Sequence, residues 1–505
     1  MYQHYTMNQT CLPIEIDCLL PENHIVYQID DMIESIPEES IKLFEPKDGR
    51  PAYHPRLLLK VLLYAYSEKI YSGRDIQKMM QENLAMVWLS GHQIVSYRTI
   101  NRFRSSETCA FFLEDLFVRF TVKLKMEKVI TLDHLFIDGT KIEANANKYS
   151  FVWKKAIDRY ETRLHEKAVA YYEEEIKPEI HRQIEIDEEE GLAEDLKEVS
   201  RLLQDEIAQL DTAIEETPVK GRDERKQKRR RFKKYYRKIT TDFMARKEKY
   251  RAYQALFEGR NSFSRTDTDA TFMRMKDDHM MNGQLKPGYN LQIGTENQYV
   301  LAYDIYPNPT DTLTLIPFIE QLHHRPRAIV ADAGYGSEEN LTYLNQLELD
   351  HYIKYNTFEK EQKKEYKLSP KNRTNWLYNP EDETITLPDG TCYFFDRDQR
   401  RKTKSGYQQT IRIYRPEDPE TAPQKALYFN HYYEQLKQTA REKLLSDEGQ
   451  RIYAQRKIDV ESVFGQIKAN LGFTRCHLRG KKQVKTDIGL VLMANNIRKY
   501  TKQHT

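Results

Sequence analysis

Between residues 24 and 125 the apolar positions recur at the three-to-four-residue spacing of amphipathic helices. Leu57, Leu58, Val61, Leu62 and Ala65 form one stripe after His54-Pro55-Arg56. Ser72-Gly73-Arg74-Asp75 then breaks the pattern and caps a predicted helix over 76–89. A second break at Ser90-Gly91-His92 leads into a short helix bearing Arg98, Asn101, Arg102 and Arg104. Beyond this region the period changes. Leu135-Phe136-Ile137 and Ile329-Val330-Ala331 are continuous apolar runs, each closed by an aspartate, and suit buried strands. Between them, residues 154–259 place Tyr160, Leu164, Ala168, Tyr171, Leu192, Leu196, Leu203, Ile207 and Leu210 in densely charged sequence. That predicts two or three long helices, hairpin-like, broken near Pro178, Gly191 and residues 218–221. Residues 288–294 and 299–306 alternate around a polar turn and predict a β-hairpin. Helices follow over 312–322 and, capped by Ser337-Glu338-Glu339, through Leu347, with a short strand at 351–355. Residues 358–440 read as β-rich, with strand candidates at 384–387, 393–395 and 411–414. Their role is either a platform for DNA or a stabilising flap. Amphipathic helices at 456–468 and 488–500 finish the chain.

At 505 residues the chain exceeds one ordinary core, so two to four domains are expected. Its hydrophobic content of 39% and charged content of 31% suit folded domains with exposed helices. A net charge of +2 does not announce a nucleic-acid binder. Locally, residues 225–238 (RKQKRRRFKKYYRK) are densely basic with interleaved aromatics, whereas residues 173–195 are acidic. Segregated charge of this kind hides a basic surface inside a neutral average. The five cysteines, Cys11, Cys18, Cys109, Cys392 and Cys476, form neither a CxxC pair nor a zinc-ligand spacing, which suits a reducing compartment. With no signal pattern and no apolar run near the roughly 18 residues of a membrane span, a soluble intracellular protein is expected.

Three acidic residues stand out. Asp138 closes the first apolar run and precedes Gly139; Asp332 closes the second and precedes Ala333-Gly334. Glu461 flanks the helical stripe Val460, Val463, Ile467 and Leu471, with Lys457 at i−4 and Lys468 at i+7. Each has an ordinary reading too: an aspartate before glycine forms turns, and a glutamate between lysines forms a surface ladder. Together, two aspartates on strands and a glutamate on a helix can converge around hard divalent cations, which favour carboxylate oxygens and leave positions open for water and phosphate. Asp459 competes with Glu461 as third ligand. About 200° separates the two on a helix, and Glu461 is preferred because the lysines share its face and its side chain is longer. The short helix with Arg98, Asn101 and Arg102 suits either the second helix of a helix-turn-helix or a plain bundle with solvated arginines.

Residues 135–145 (LFIDGTKIEAN), 330–340 (VADAGYGSEEN) and 457–468 (KIDVESVFGQIK) resemble motifs of the DDE transposases of bacterial insertion sequences. Residues 264–281 (SRTDTDATFMRMKDDHMM) and 286–292 (KPGYNLQ) add to the resemblance, which spans most of the chain outside 154–259 and 358–440. It implies an α/β chain: a helical DNA-binding domain at 1–128, an RNase H-like mixed-sheet catalytic domain at 129–153, 260–357 and 441–505, a helical insertion at 154–259 and a β-rich insertion at 358–440. It also implies that Asp138, Asp332 and Glu461 are catalytic and hold Mg²⁺ or Mn²⁺, two ions roughly 4 Å apart. Related enzymes carry Tyr, Arg, Glu and Lys at fixed spacing. Here Lys468 fits, Lys457 and Ala454 stand where arginine and tyrosine are expected, and Arg456 and Tyr453 are each one position away.

The implied activity is binding of the element's terminal inverted repeats, cleavage at their ends and strand transfer into target DNA. Arg456, Lys457 and Lys468 would position phosphates. Arg98, Asn101 and Arg102 would read the ends, and Arg229, Arg230 and Arg231, with Lys233 and Lys234, would touch DNA or a partner subunit in a homodimeric end complex. A coiled coil used only for dimerisation is the alternative for 154–259. The expected location is the cytoplasm, on the nucleoid when DNA-bound, with no membrane partner. Two other functions share these residues: an RNase H-like nuclease without strand transfer, and a catalytically silent DNA-binding relic.

Overall fold

The computed structural model describes residues 20–45, 52–181, 184, 192–218, 220–275, 283–418 and 422–504. Cys11, Cys18, Gly191, Val219 and the part of the 264–281 motif beyond Met275 lie outside the described residues. The described residues form two compact units, one within 1–145 and 273–505, the other within 146–272.

The first unit is built on a mixed sheet. Its order is Thr271–Arg274, Leu285–Glu296, His134–Glu143, Ala328–Ala331, Asp350–Ile353, with Tyr299–Tyr306 also paired to Leu285–Glu296. His134–Glu143 runs antiparallel to Leu285–Glu296 and parallel to Ala328–Ala331, which runs parallel to Asp350–Ile353. The predicted hairpin is present: Asn297 and Gln298 take positive φ values of 50° and 61° at its two-residue turn, the geometry that matches the twist of the flanking strands. The predicted helix over 312–322 is shorter, a 3₁₀ turn at Asp311–Leu313 followed by Leu315–Glu320. Ile137, Ile329, Ala331, Leu341, Leu344 and Ile353 pack in one core on one face of the sheet.

Among the described residues seven helices lie between Ile25 and Met126, and four of them, Ile25–Glu34, Pro55–Ser67, Tyr97–Arg104 and Glu107–Met126, pack against Lys481–Gln503. The helix predicted over 76–89 is two, Gly73–Glu82 and Leu84–Leu89. Asn83 separates them because its backbone is extended and its side chain accepts from Met86 N at 2.9 Å, capping the second helix. Lys481–Gln503 is buried almost continuously from Thr486 to Ile497, as a helix packed on every side must be. Asn496 donates to Val300 O at 2.7 Å and accepts from Val300 N at 2.9 Å, satisfying the edge of the hairpin strand.

Residues 377–429 form a separate five-stranded antiparallel sheet, Leu377–Asn379, Thr384–Thr386, Cys392–Lys402, Gln408–Pro416 and Leu427–Phe429. The three strand candidates lie in its central strands, and the two short flanking strands escaped the pattern. The sheet has its own small core of Ile385, Tyr393, Tyr414 and Leu427. Gln409 Nε2 and Asn430 Nδ2 each donate to Glu338 at 2.7 Å. These bonds tie the segment to the helix Glu338–Gln346, which follows Asp332.

The second unit is a helical bundle with a core of its own. Lys154–Tyr171 continues through a π turn to Ile176; Leu192–Glu216 follows; Glu224–Lys238 continues through Ile239–Met244 into Ala245–Phe257. Leu164, Ala168, Tyr172, Leu196, Val199, Leu203, Phe232 and Tyr235 meet inside it. Phe151–Trp153 pairs with Ser262–Ser264 at its base.

Candidate active site

Asp138 and Asp332 are brought together by strand register. The parallel pairing of their strands ends at Ile137 opposite Ala331, so each aspartate directly follows the last paired residue of its strand. Asp138 is not at the end of its strand, as the apolar run suggested. The strand continues to Glu143 because its other edge stays paired with Leu285–Glu296 through Gly288. Asp138 is 7% exposed; its Oδ1 accepts from Gly139 N at 2.7 Å and its Oδ2 from Arg456 Nη1 at 2.9 Å. Asp332 Oδ1 accepts from Gly334 N at 2.8 Å.

The glycines in these motifs sit in crowded places, tightest at Gly336 and at Gly139, where a Cβ would also meet Gln292 Nε2 at 2.3 Å. A Cβ on Gly139 would sit 2.6 Å from Asp311 Oδ1, and one on Gly334 would sit 3.0 Å from Asp332 Oδ1 and 3.7 Å from Asp311 Oδ2. Gly336 lies against the backbone carbonyl of Lys354, where no side chain fits. Asp311 is a carboxylate of this site that the sequence pattern did not reveal. Its Oδ1 accepts from Asn290 Nδ2 at 2.7 Å and Gln292 Nε2 at 2.9 Å, and Tyr335 donates its hydroxyl to Gln292 Oε1. Burial, then the charges of Asp311, Asp138 and Asp332, hold the Tyr335 phenol well above its ordinary range. The available signal was the KPGYNLQ motif, which supplies both amides.

The segment carrying Glu461 departs from a regular helix. Asp447–Arg456 passes into a π-helical turn at Lys457–Glu461, then Ser462–Gly465, then a second π turn at Gln466–Asn470. Val460, Val463, Ile467 and Leu471 are buried as predicted. The π turns shift the phase along the segment, so the single i−4 to i+7 face assigned to Lys457, Glu461 and Lys468 does not follow from 3.6-residue periodicity. Lys457 and Glu461 are exposed and Lys468 is half-buried. Asp459 turns the other way: 1% exposed, it accepts from Gln298 N at 2.8 Å at the hairpin turn, and burial raises its carboxyl above the usual range. Arg456 is the residue of this segment that reaches the aspartates. Its charge is reinforced by Asp138, Tyr453 and Asp332 against the cost of burial, and Tyr453 lies under Lys354, 4.0 Å from ammonium to ring centroid.

Among the described residues no group of three or more His, Cys, Asp or Glu side chains is arranged to hold a metal ion. Arg456 engages Asp138, and Glu461 stands exposed further along the same segment. The donor chemistry nevertheless fits a hard divalent cation, because every acidic group present offers oxygen and no thiolate or imidazole lies among them.

In the N-terminal helices, Tyr97–Arg104 is capped by Ser96, whose Oγ accepts from Thr99 N at 3.3 Å. Arg98 and Arg102 are exposed. Asn101 is half-buried: its Oδ1 accepts from Arg104 Nη2 at 3.0 Å and lies 2.5 Å from where a Cβ of Gly73 would be. Arg104 is buried and structural. In the second unit the basic helix is two-faced. Arg229 and Lys233 pair with Asp211 at 2.5 and 3.7 Å and Arg231 pairs with Glu179 at 3.1 Å, so these charges are already partnered. Arg230, Lys234 and Arg237 are exposed, at the i, i+4, i+7 spacing of one face.

Residues 261–497 match the family model described as Transposase DDE domain, and residues 14–106 match the one described as Transposase domain (DUF772). Asp138 precedes the first of these stretches. With both domains in this order, the chain belongs to the DDE transposases of insertion sequences, whose catalytic domain is RNase H-like. No curated protein and no solved structure matches the chain. No helix among the described residues is long and apolar enough to cross a membrane.

Proposed function

We propose that this transposase binds the inverted repeats of its own element and cleaves and joins their strands at a site formed by Asp138, Asp332 and Glu461. The observation that carries this is that Asp138 and Asp332 each directly follow the last paired residues, Ile137 and Ala331, of two adjacent parallel strands, with Arg456 of the segment that bears Glu461 bonded to Asp138. Asp138, Asp332 and Glu461 would hold two Mg²⁺ or Mn²⁺ ions, which when bound supply an activated water and stabilise the departing 3′ oxygen. The chain's own residues do the rest. Arg456 neutralises Asp138 before DNA arrives and is placed to pass to a phosphate, where a guanidinium makes charge-assisted bonds. Lys457 and Lys468 hold the backbone. Arg98 and Arg102 meet the ends, and Arg230 and Lys234 contact DNA or a second subunit in the end complex.

The test uses a duplex carrying the repeats that flank the gene. Cleavage and joining should require Mg²⁺ or Mn²⁺, stop with excess EDTA, and disappear in Asp138→Asn and Asp332→Asn while end binding persists. Full activity in EDTA, or in either variant, overturns the proposal. A nuclease without strand transfer would cleave but leave no joined product.

A further inference from the structure

We propose that the hairpin formed by Cys392–Lys402 and Gln408–Pro416 is a DNA-contacting ribbon that grips duplex phosphates through Arg400, Arg401, Lys402 and Lys404. This rests on the function proposed above and names a further surface for the same partner. The neighbouring strands of the five-stranded sheet cover only the base of this hairpin. Thr384–Thr386 reaches no further than Phe394, and Leu427–Phe429 no further than Arg412. From Gln399 to Lys402 and from Gln408 to Ile411 the two long strands pair only with each other.

Charge divides along the ribbon in the same way. At its base every arginine has a carboxylate. Arg412 meets Glu383 at 2.8 Å and Asp398 at 3.3 Å, Arg415 meets Asp396 at 2.9 Å, and Arg397 meets Asp396 at 3.8 Å. Between Gln399 and Thr410 the sequence QRRKTKSGYQQT contains no acidic residue. Arg400, Arg401, Lys402 and Lys404 are all exposed, and none is ion-paired with a described residue. Opposed residues of an antiparallel pair share a face. Arg401 and Gln409 therefore lie on one face, and Arg400 with Thr410 and Lys402 with Gln408 lie on the other. The first face is tied down: Gln409 Nε2 donates to Glu338 at 2.7 Å, the Tyr407 hydroxyl to Glu338 at 3.3 Å, and Ser405 Oγ to Glu339 at 2.5 Å. The second face leaves two cations and two neutral hydrogen-bonding side chains in solvent. Charge of either sign would protect these edges from pairing with another chain; a run of one sign, held on a fixed arm, favours a polyanion. A two-stranded ribbon also fits the major groove, about 12 Å wide, which favours duplex DNA over an acidic protein.

The test is duplex binding by the full chain across a salt series, read by fluorescence anisotropy. One labelled duplex carries the flanking repeats and another has an unrelated sequence. Arg400, Arg401, Lys402 and Lys404 are changed together to Gln. Each lost phosphate contact removes about 0.9 from the slope of log K against log salt, so the slope should fall by roughly two to four units. The fall should appear on both duplexes, because phosphate contacts carry no base information. Arg400→Lys with Arg401→Lys keeps the charge and should keep the slope. Where the fourfold variant does not fold, Arg400→Gln with Lys402→Gln, both on the open face, decides, with an expected fall of about two units. An unchanged slope in the folded variant, while the unaltered chain binds the repeats, overturns this inference and leaves the proposed function standing. So does an unchanged slope accompanied by loss of a dimer in sedimentation, which gives the ribbon to a second copy of the chain. No binding of either duplex by the unaltered chain overturns both.

Discussion

Replacing Arg104 with methionine should destabilise the first unit by about 1–3 kcal/mol, the usual cost of leaving buried hydrogen-bonding groups without their partner. The guanidinium is 5% exposed. Its Nη1 donates to Tyr66 Oη at 3.0 Å and Tyr71 O at 2.6 Å, and its Nη2 donates to Asn101 Oδ1 at 3.0 Å. The Tyr66 hydroxyl in turn donates to Asp487, which is fully buried on the terminal helix. Methionine fills most of the arginine stem, so the cavity contribution is small. What disappears is a set of donors whose acceptors stay buried, each worth about 1–3 kcal/mol, and the cation that offsets Asp487. These contributions overlap and do not add. Asp487 retains His477 N at 2.6 Å and Leu478 N at 3.3 Å, which pulls the expected value toward the lower end. Urea unfolding followed by tryptophan fluorescence is a suitable assay, since Trp88 packs against Tyr27 among the same helices at 4.9 Å between ring centroids. Arg102→Ala on the same helix is the control and should stay within about 0.5 kcal/mol of wild type. A loss below about 1 kcal/mol in Arg104→Met would refute the claim that this arginine is a core residue rather than a DNA contact.

Glu461→Gln should bind transposon ends nearly normally and lose cleavage and joining, whereas Asp459→Asn, which keeps the acceptor for Gln298 N, should retain most activity; the opposite pattern in a paired cleavage assay would reverse the assignment. Neutralising Arg230, Lys234 and Arg237 together should lower end-complex formation in a salt-dependent way with the helical unit still folded by circular dichroism, and removing three phosphate contacts would reduce the salt slope by about three units; an unchanged slope would leave only a solvated face. His351, 3% exposed, is pushed down to about 4, chiefly by burial and then by Lys443. A base whose folded value lies below its unfolded one stabilises the fold above the unfolded value, so stability should fall by roughly 3 kcal/mol as pH drops from about 6.5 toward 4. His351→Gln should flatten that part of the profile, and an unchanged profile would place the acid sensitivity elsewhere.

Elements with a strong period were legible, and so were the two buried strands that carry Asp138 and lead to Asp332, because short continuous apolar runs identify strands covered on both faces. The lengths of those strands were not legible. Asp138 looked terminal because the polar residues after it, Thr140 and Lys141, break the apolar run, but the run reports burial rather than backbone pairing. Asp311 was hidden for a different reason. It sits in PNPTDT, a sequence any surface turn could have, and its importance comes from Asn290 and Gln292 on a strand that reads simply as a hairpin arm. Charge patterns were the least reliable guide. Arg104 and Arg229 look like their exposed neighbours Arg102 and Arg230 in sequence, yet one is buried against Tyr66 and the other paired with Asp211, because helical phase and the facing helix decide which cation is free.

The one-position offset of Arg456 and Tyr453 from the spacing expected around the glutamate has a structural resolution in the π turn. In a regular α-helix, Arg456 and Glu461, five residues apart, would point about 140° away from each other. In a turn closed by i→i+5 bonds, residues five apart come back to nearly the same side. The π turn at Lys457–Glu461 therefore absorbs one extra residue, and Arg456 and Tyr453 take up the side of the helix that faces the aspartates, as the 2.9 Å bond from Arg456 to Asp138 records. Lys457 and Ala454, which match the expected spacing by count, are exposed. Counting along the chain assumes a constant rotation per residue, and a single π turn is enough to break that assumption while leaving the buried stripe of Val460, Val463 and Ile467 intact. An extra residue in this segment keeps Arg456 and Glu461 nearer to one side of the helix than regular periodicity would, which is what the role proposed for Glu461 requires: Arg456 already meets Asp138, and a glutamate on that side is the one that could follow it to the same strands.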